Sequence, residues 1–386
     1  MTVYLDHNAT TPVRPEVFDA VLPWLREGFG NPNSVYASGQ RARAAVERAR
    51  EQVAALLGAG DASEIVFTSC GSESDVLAVS GAAWQSHDES NGRRRAIVTS
   101  AIEHEAVRLL CGQLRRRGLA VVEAPCDPEG ATRVDACSAL LNDEVALVSV
   151  MHANNETGVL QPVAEIAAAA RGAGALVHTD AVQSLGKIPI DAKALGVDLI
   201  SLSGHKVNAP KGVGALWIRR GVRLAPLITG HQEKNRRGGT ENVAAIVGFG
   251  LACELARKEL ETAAAHALAL RRRIEGGVLL IPGSRLNGHP ERRLPNTAHF
   301  SFDGLDGHNL VVALDLEGLC VSSGPACSSG ASSPSHVLTA MGVAPALASG
   351  SLRVSVGWGN TDADVDRLLG VLAGAVEKLR VAAVGS

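Results

Sequence analysis

Between residues 41 and 58 the run RARAAVERAREQVAALLG places Ala45, Val46, Ala49, Val53 and Leu56 on one stripe, at the spacing of a helix face. Gly58 and Gly60 follow as stop signals, so the pattern predicts an amphipathic helix. Short runs rich in β-branched residues then recur: EIVFTS (64–69), AIVTS (96–100), AVVEA (120–124), ALVSVM (146–151), ALVHTD (175–180), LISLS (199–203) and VGALWI (213–218). Between many of them lie Ala/Leu/Arg segments such as AVRLLCGQLRRRG (106–118) and PVAEIAAAARGAG (162–174). Strands that are apolar throughout and separated by helices form a largely parallel sheet covered on both faces.

This pattern predicts a large α/β domain over residues 14–255. A helical stretch from Ile246 to about Gly276 leads into the strand-like pieces NTAHFSF (296–302) and SLRVSVG (351–357), then a last helix from Asp362 to about Leu379. These predict a smaller α+β domain over 256–386, with residues 1–13 packing beside it. SHDESNGRRR (86–95) reads as a solvated loop.

Composition narrows the class. Hydrophobic residues make up 46% of 386, enough for a sizeable core. Lys+Arg 37 against Asp+Glu 40 leaves a net charge of −3, so direct nucleic-acid binding is not expected. No apolar run approaches membrane-spanning length, and the start, MTVYLDHNATTPV, has no basic and then apolar leader pattern; a cytoplasmic protein without a membrane partner is expected. The cysteines Cys70, Cys111, Cys126, Cys137, Cys253, Cys320 and Cys327 are odd in number, with no CxxC pair. This argues against a zinc ribbon or a disulfide framework, and most are expected reduced and buried. Cys320, in the apolar run VVALDLEGLCV, is expected in the core.

In an open parallel sheet, ligands bind beyond the carboxyl ends of the strands. After EIVFTS comes Cys70-Gly71-Ser72-Glu73-Ser74 and then an apolar helical run, a turn able to seat a phosphate on free backbone N–H groups. AIVTS leads to Glu103-His104, ALVSVM to Asn154-Asn155-Glu156, ALVHT to Asp180 and Gln183, and LISLS to Ser203-Gly204-His205-Lys206. Taken singly these have bland readings: a structural histidine, a helix-capping aspartate, a solvated lysine. Together they ask for a ligand with a phosphate, a basic ring nitrogen and a carbonyl. GxGxxG, GxxxxGK[ST] and HExxH are absent, so dinucleotide, nucleoside triphosphate and zinc-protease readings lose support and no metal centre is expected. Pyridoxal 5′-phosphate fits: a lysine forms its Schiff base, an acid keeps its ring nitrogen protonated, and a cup holds its phosphate.

The segments YLDHNATTP (4–12), GNPNSVYASG (30–39), FTSCGSES (67–74), MHANNETGVLQP (151–162), HTDAVQSLGK (178–187), SLSGHK (201–206), RRGGTEN (236–242), SSGPACSSG (322–330) and SLRVSVG (351–357) resemble the NifS/IscS-like cysteine desulfurases, in order, over nearly the whole chain. The resemblance implies a fold-type I pyridoxal-phosphate enzyme: a large α/β domain with a mostly parallel sheet covered by helices, and a smaller α+β domain carrying the nucleophile loop. It implies that Lys206 bonds the cofactor, Asp180 meets the pyridine nitrogen, His104 stacks on the ring and moves protons, and Gln183 meets the ring hydroxyl. Asn155 would lie beside the ring near the substrate, and Gly71, Ser72, Ser203 and His205 would form the phosphate cup. Thr240 would reach the phosphate of the other subunit of a homodimer, Arg353 would clamp the carboxylate of L-cysteine, and Cys327 would be the nucleophile.

The implied reaction converts L-cysteine to L-alanine, with sulfur passing to Cys327 as a persulfide and then to a protein acceptor, such as one in iron–sulfur assembly. Rival activities of the same fold are a selenocysteine lyase or a C–S lyase; a non-catalytic sulfur-transfer scaffold is a further alternative. Some positions depart from the family pattern: Cys70 replaces a usual glycine and is read as packing, Tyr36 a common histidine, Val207-Asn208-Ala209 a more usual aromatic and glycine, and Pro325 a common serine. Pro325 is expected to stiffen the Cys327 loop. The chain stops 33 residues after Arg353 (386 − 353), without the longer tail of some iron–sulfur assembly desulfurases. The acceptor is therefore expected to differ, and the SSGPAC loop suggests the desulfurase of DNA phosphorothioation as a narrower likeness.

Overall fold

The computed structural model describes residues 2–324 and 334–384; Pro325 and Cys327 lie outside them. The first segment contributes a short strand, β1 (Val3–Tyr4). A seven-stranded sheet is then built from β2 (Ile65–Thr68), β3 (Ala96–Ser100), β4 (Ala120–Ala124), β5 (Val145–Ser149), β6 (Leu176–Asp180), β7 (Leu199–Ser203) and β8 (Gly214–Ile218), in the order β2-β8-β7-β6-β5-β3-β4. All seven fall on the apolar runs of the sequence. Pairing is parallel from β4 to β7, while β8 runs antiparallel to both β7 and β2. Residues 204–213 connect β7 to β8 and are too few for a crossover helix, which explains the reversed strand. Because two reversals cancel, β2 again points the same way as β7. The carboxyl ends of β2, β3, β5, β6 and β7 therefore share one edge of the sheet.

Alternate residues of these strands serve two cores. Phe67, Val98, Val148, Ile200 and Trp217 face one helical layer, and Val66, Ile97, Leu147, Leu199 and Leu216 face the other. The helix expected at 41–58 runs from Ala37 to Leu56 and buries Val46, Ala49 and Val53. The helix that starts at Gly71 continues to Glu89, so the loop expected over 86–95 begins only at Ser90. Asn91 and Gly92 end it with positive φ values of 52° and 81°.

A separate hydrophobic cluster gathers Leu270, Ile274, Phe300, Leu314, Leu352 and Leu368 with Val3 and Leu5 of the first segment. Its strands are β9 (Ser284–Leu286), β10 (Thr297–Phe302) and β12 (Ser351–Ser355), in the antiparallel order β12-β10-β9. β11 (Leu319–Cys320) pairs in parallel with β1, and Asp6 bridges Ser355, which seats the N-terminal segment against this second layer. One helix, Val243–Val278, carries Phe249 and Cys253 into the first core and Leu270 and Ile274 into the second. The boundary expected at residue 255 falls inside this helix, near the point where its contacts change core.

Among the described cysteines, Cys111, Cys137 and Cys253 are buried, and Cys70, Cys126 and Cys320 are half-buried. Cys320 was expected in the core; it instead lies on the two-stranded β1–β11 ribbon opposite Tyr4, where one side stays open. No helix among the described residues is long and apolar enough to cross a membrane.

Candidate active site

The helix Gly71–Glu89 starts directly beyond β2, with Cys70 as its N-cap. The Cys70 Sγ accepts from the Glu73 N–H at 3.4 Å, so a thiol does here what a hydroxyl or carboxylate usually does. A Cβ on Gly71 would meet Val182 Cγ2 at 2.9 Å and Ser203 Cβ at 3.2 Å. Glycine is therefore what lets the helix start sit against the ends of β6 and β7. The Ser203 Oγ is buried there without a hydrogen-bond partner among the described residues. At the rim the Glu73 carboxylate accepts from the Ser69 N–H at 2.7 Å and pairs with Arg237 at 2.7 Å. Thus Arg237 brings the segment leading to Thr240 against this helix start. Thr240 and Ser72 are both exposed. His205, half-buried, shares a hydrogen bond between its Nδ1 and Thr10 Oγ1 at 3.1 Å.

Beside this cup lie three titratable groups on three elements. Ligand-type atoms of Asp75, His104 and Asp180 all fall within 4.8 Å of one another. His104 Nδ1 accepts from the Ala106 N–H at 3.2 Å, which leaves Nε2 to carry the proton of the neutral ring. Burial holds His104 below the ordinary histidine range. Burial also pushes Asp180 up, against the pull of His104, the Val182 N–H and Lys206. Asp75 is raised well above the ordinary range by burial and by the Asp180 charge. Behind them His178 shares hydrogen bonds with Ser149 and Ser201, each at 2.9 Å, and burial drives its pKa to about 3. Glu103, fully buried, accepts from the Met151 N–H at 2.9 Å and from Ser100, and burial pushes it up to about 8.

The third wall comes from the N-terminal segment. Lys206 Nζ donates to the carbonyls of Asn8 at 2.5 Å and Ala9 at 2.7 Å. Gln183 Nε2 donates to the same Asn8 carbonyl at 2.9 Å. Asn8 Nδ2 donates to the Asn155 carbonyl at 3.2 Å and to Thr297 Oγ1 at 2.9 Å, which links both sheets. Arg353, on β12 and 1% exposed, donates from Nη1 to the carbonyls of Asn155 and Gly324 and from Nη2 to Asp6 Oδ1 at 2.7 Å. Its Nε is buried without a partner among the described residues, so the guanidinium keeps a donor for a further anion.

Contacts beyond the strand ends thus tie Gly71 to Ser203, His104 to Asp180, and Lys206 and Gln183 through Asn8 to Asn155 and Arg353, while Ser72 and Thr240 are exposed. Sequence reasoning missed Asn8, Asp6, Asp75 and Lys187. Asn8 and Asp6 stand in YLDHNATTP, but no spacing rule reveals that this segment returns to the strand ends. The donor set fits a phosphorylated pyridine aldehyde. The orphan Ser203 hydroxyl and the helix start suit a phosphate, the buried Asp180 suits a protonated ring nitrogen, and Lys206 suits a carbonyl carbon. Asp75, His104 and Asp180 have the spacing to hold a divalent cation as well, although Asp180 cannot serve a ring nitrogen and a metal together.

The family model described as aminotransferase class-V matches residues 3–368. The chain belongs to this family. It is 46% identical over 379 residues to the cysteine desulfurase IscS of Methanosarcina thermophila, covering 98% of this chain and 93% of that one. A solved NifS-like protein superposes with a TM-score of 0.91 at 38% identity, over 98% of this chain and 100% of the other. DndA from Streptomyces lividans superposes with a TM-score of 0.77, also at 38% identity, over 92% and 99% of the two chains. These likenesses span both cores, and the fold is that expected from the resemblance.

Proposed function

We propose that this member of the class-V aminotransferase family is a cysteine desulfurase that uses pyridoxal 5′-phosphate. The observation that carries the reading is the seating of Lys206 on the Asn8 and Ala9 carbonyls, in one crevice with Asp180, His104 and the Gly71 helix start. The NifS- and IscS-named relatives support it across the whole chain. The cofactor, when bound, supplies a carbonyl for the substrate amine and a sink for the electrons released at Cα.

The chain's own residues supply the rest. The Gly71 and Ser72 N–H groups, with Ser203 and His205, hold the phosphate, and Asp180 holds a proton at the ring nitrogen. Lys206 Nζ, released from the Asn8 and Ala9 carbonyls, takes the α-proton of L-cysteine. His104, kept neutral by burial, carries a proton at Nε2 for transfer near the ring. Arg353 offers to the substrate carboxylate its Nε–H, which has no partner among the described residues, and Asn155 borders the same place. Cys327 accepts the sulfur. The Cβ–S bond of cysteine breaks, an S–S bond forms on Cys327, and Cβ takes a proton, so cysteine and the enzyme thiol become alanine and an enzyme persulfide. A protein thiol then takes the sulfur; NifS-like proteins and DndA among the relatives fit acceptors in iron–sulfur assembly or in thio-modification of nucleic acid.

The homodimer belongs to this proposal. Phe29 and Val35 are 91% and 90% exposed, and Asn33 between them donates to Glu241 at 3.3 Å, next to Thr240. A second copy on this apolar surface covers it and delivers Thr240 to the neighbouring phosphate cup.

Reduction of the purified yellow protein with borohydride, followed by peptide mapping, tests the cofactor assignment. Attachment at Lys206, with alanine formed from L-cysteine before reduction, is expected; attachment elsewhere, or none, contradicts it.

A further inference from the structure

Lys187 is a half-buried amine for which the reaction above has no use. It sits after β6, four residues beyond Gln183, and lines a cavity of about 360 Å³ together with Lys206, His7 and Asn296. Among the described residues no carboxylate pairs with it. Its Nζ instead donates to Gln183 Oε1 at 3.0 Å and to Asn8 Oδ1 at 3.2 Å. Asn8 is the residue whose main-chain carbonyl holds both Lys206 and Gln183. Two lysines thus meet on one asparagine, one at the backbone oxygen and one at the side-chain oxygen.

An amide side chain can present either its oxygen or its nitrogen, and only its hydrogen-bond partners decide which. Here Lys187 takes the Gln183 oxygen, while the Asn8 carbonyl takes one hydrogen of the nitrogen. Among the described residues the second hydrogen on Nε2 has no acceptor. We propose that Lys187 is a positioning residue that fixes the Gln183 amide with its nitrogen toward the ring oxygen of the lysine-bound cofactor and holds Asn8 as the seat of Lys206.

This inference rests on the cofactor reading above. Other titratable groups near Lys187 are Lys206, Arg353, His7 and His205; at the cavity wall stand His266 and the pair Arg14 and Glu259, which meet at 2.6 Å. Burial, with the Lys206 and Arg353 charges, holds Lys187 well below the ordinary lysine range. An N–H of either the charged or the neutral amine can be donated to Gln183.

The test uses the holoenzyme and the pH midpoint of its visible band. In Lys187→Met the ring oxygen loses an oriented donor and becomes more basic. The proton it shares with the lysine-bound nitrogen should then persist to higher pH, raising the midpoint by about half a unit or more. A double-mutant cycle separates positioning from direct charge. In a Gln183→Ala background the same Lys187→Met change should add no further shift; an equal shift there, or an unchanged midpoint in the single variant, overturns the proposal. If Lys187→Met loses cooperative melting, Lys187→Gln, which keeps a donor without the charge, is read instead. A midpoint near that of the wild type supports positioning, and one moved as far as in Gln183→Ala refutes it. Borohydride mapping distinguishes the two levels: no attachment at Lys206 in the wild type removes the cofactor reading and this inference with it. Normal attachment with an unmoved midpoint in Lys187→Met removes this inference alone.

Discussion

Arg353 and Asp6 are 347 positions apart in the chain, and their side chains meet at 2.7 Å. The pair ties β12 to the segment that follows β1, and it occupies Nη2 while Nε has no partner among the described residues. Arg353 is almost fully buried and Asp6 lies at the crevice edge, so removing Asp6 leaves a buried cation without its carboxylate. Asp6→Ala should raise KM for L-cysteine by on the order of tenfold, about 1.4 kcal/mol, with a smaller change in kcat. Steady-state kinetics on holoenzyme checks this; an unchanged KM means that Asp6 does not orient the clamp.

Gly71 is the narrowest point of the proposed phosphate cup. An added methyl group at this position meets Val182 and Ser203 closer than ordinary packing allows. Gly71→Ala should lose about 1–3 kcal/mol of stability and release cofactor during dialysis that the wild type survives. Retained cofactor with an unchanged melting temperature argues against the cup lying there.

How much of this was legible beforehand differs from element to element. The strands that lead to His104, Asp180 and Lys206 are short, continuous apolar runs because both of their faces serve a core, so run length and β-branched content located them. The reversed β8 was not legible, because nothing in VGALWI encodes direction; the short link after Lys206 decides it. Asn8 was invisible as a site residue for a related reason. It acts through its main-chain oxygen and through contacts with residues 175, 198 and 289 positions away, which no local pattern reports. Asp75 reads as a polar residue within the first turns of a helix, and only the fold places it beside Asp180. The role of Cys70 was half legible: a thiol at the helix start was evident, but its capping bond needed the geometry.

That bond makes Cys70 a stabilising residue. Cys70→Ala should cost about 0.5–2 kcal/mol through the lost cap. Cys70→Ser, which keeps an acceptor, should recover most of it. In both variants labelled sulfur from L-cysteine should still arrive on the enzyme in the wild-type amount. Thermal melts and intact-mass analysis read the two effects separately, and loss of label in Cys70→Ala would show a redox role instead.

Glu103 gives a pH signature. Its carboxyl is raised from an ordinary value of 4.5 to about 8 in the folded protein, so the native state binds this proton more tightly than the unfolded chain does. Between those two values the unfolded state loses the proton first, and the contribution of Glu103 to stability falls as pH rises. Glu103→Gln mimics the protonated acid. Across that window its melting temperature should decline less with pH than that of the wild type; parallel curves would mean the carboxyl is not held protonated.

The most direct measurement is a single turnover of holoenzyme with sulfur-labelled L-cysteine, followed by quantification of alanine and mapping of the label. The account predicts one alanine formed for each labelled persulfide, with the label on Cys327, and neither product from Cys327→Ser although that variant keeps its cofactor on Lys206. Alanine formed by Cys327→Ser at the wild-type rate, or label arriving on another cysteine, would contradict it.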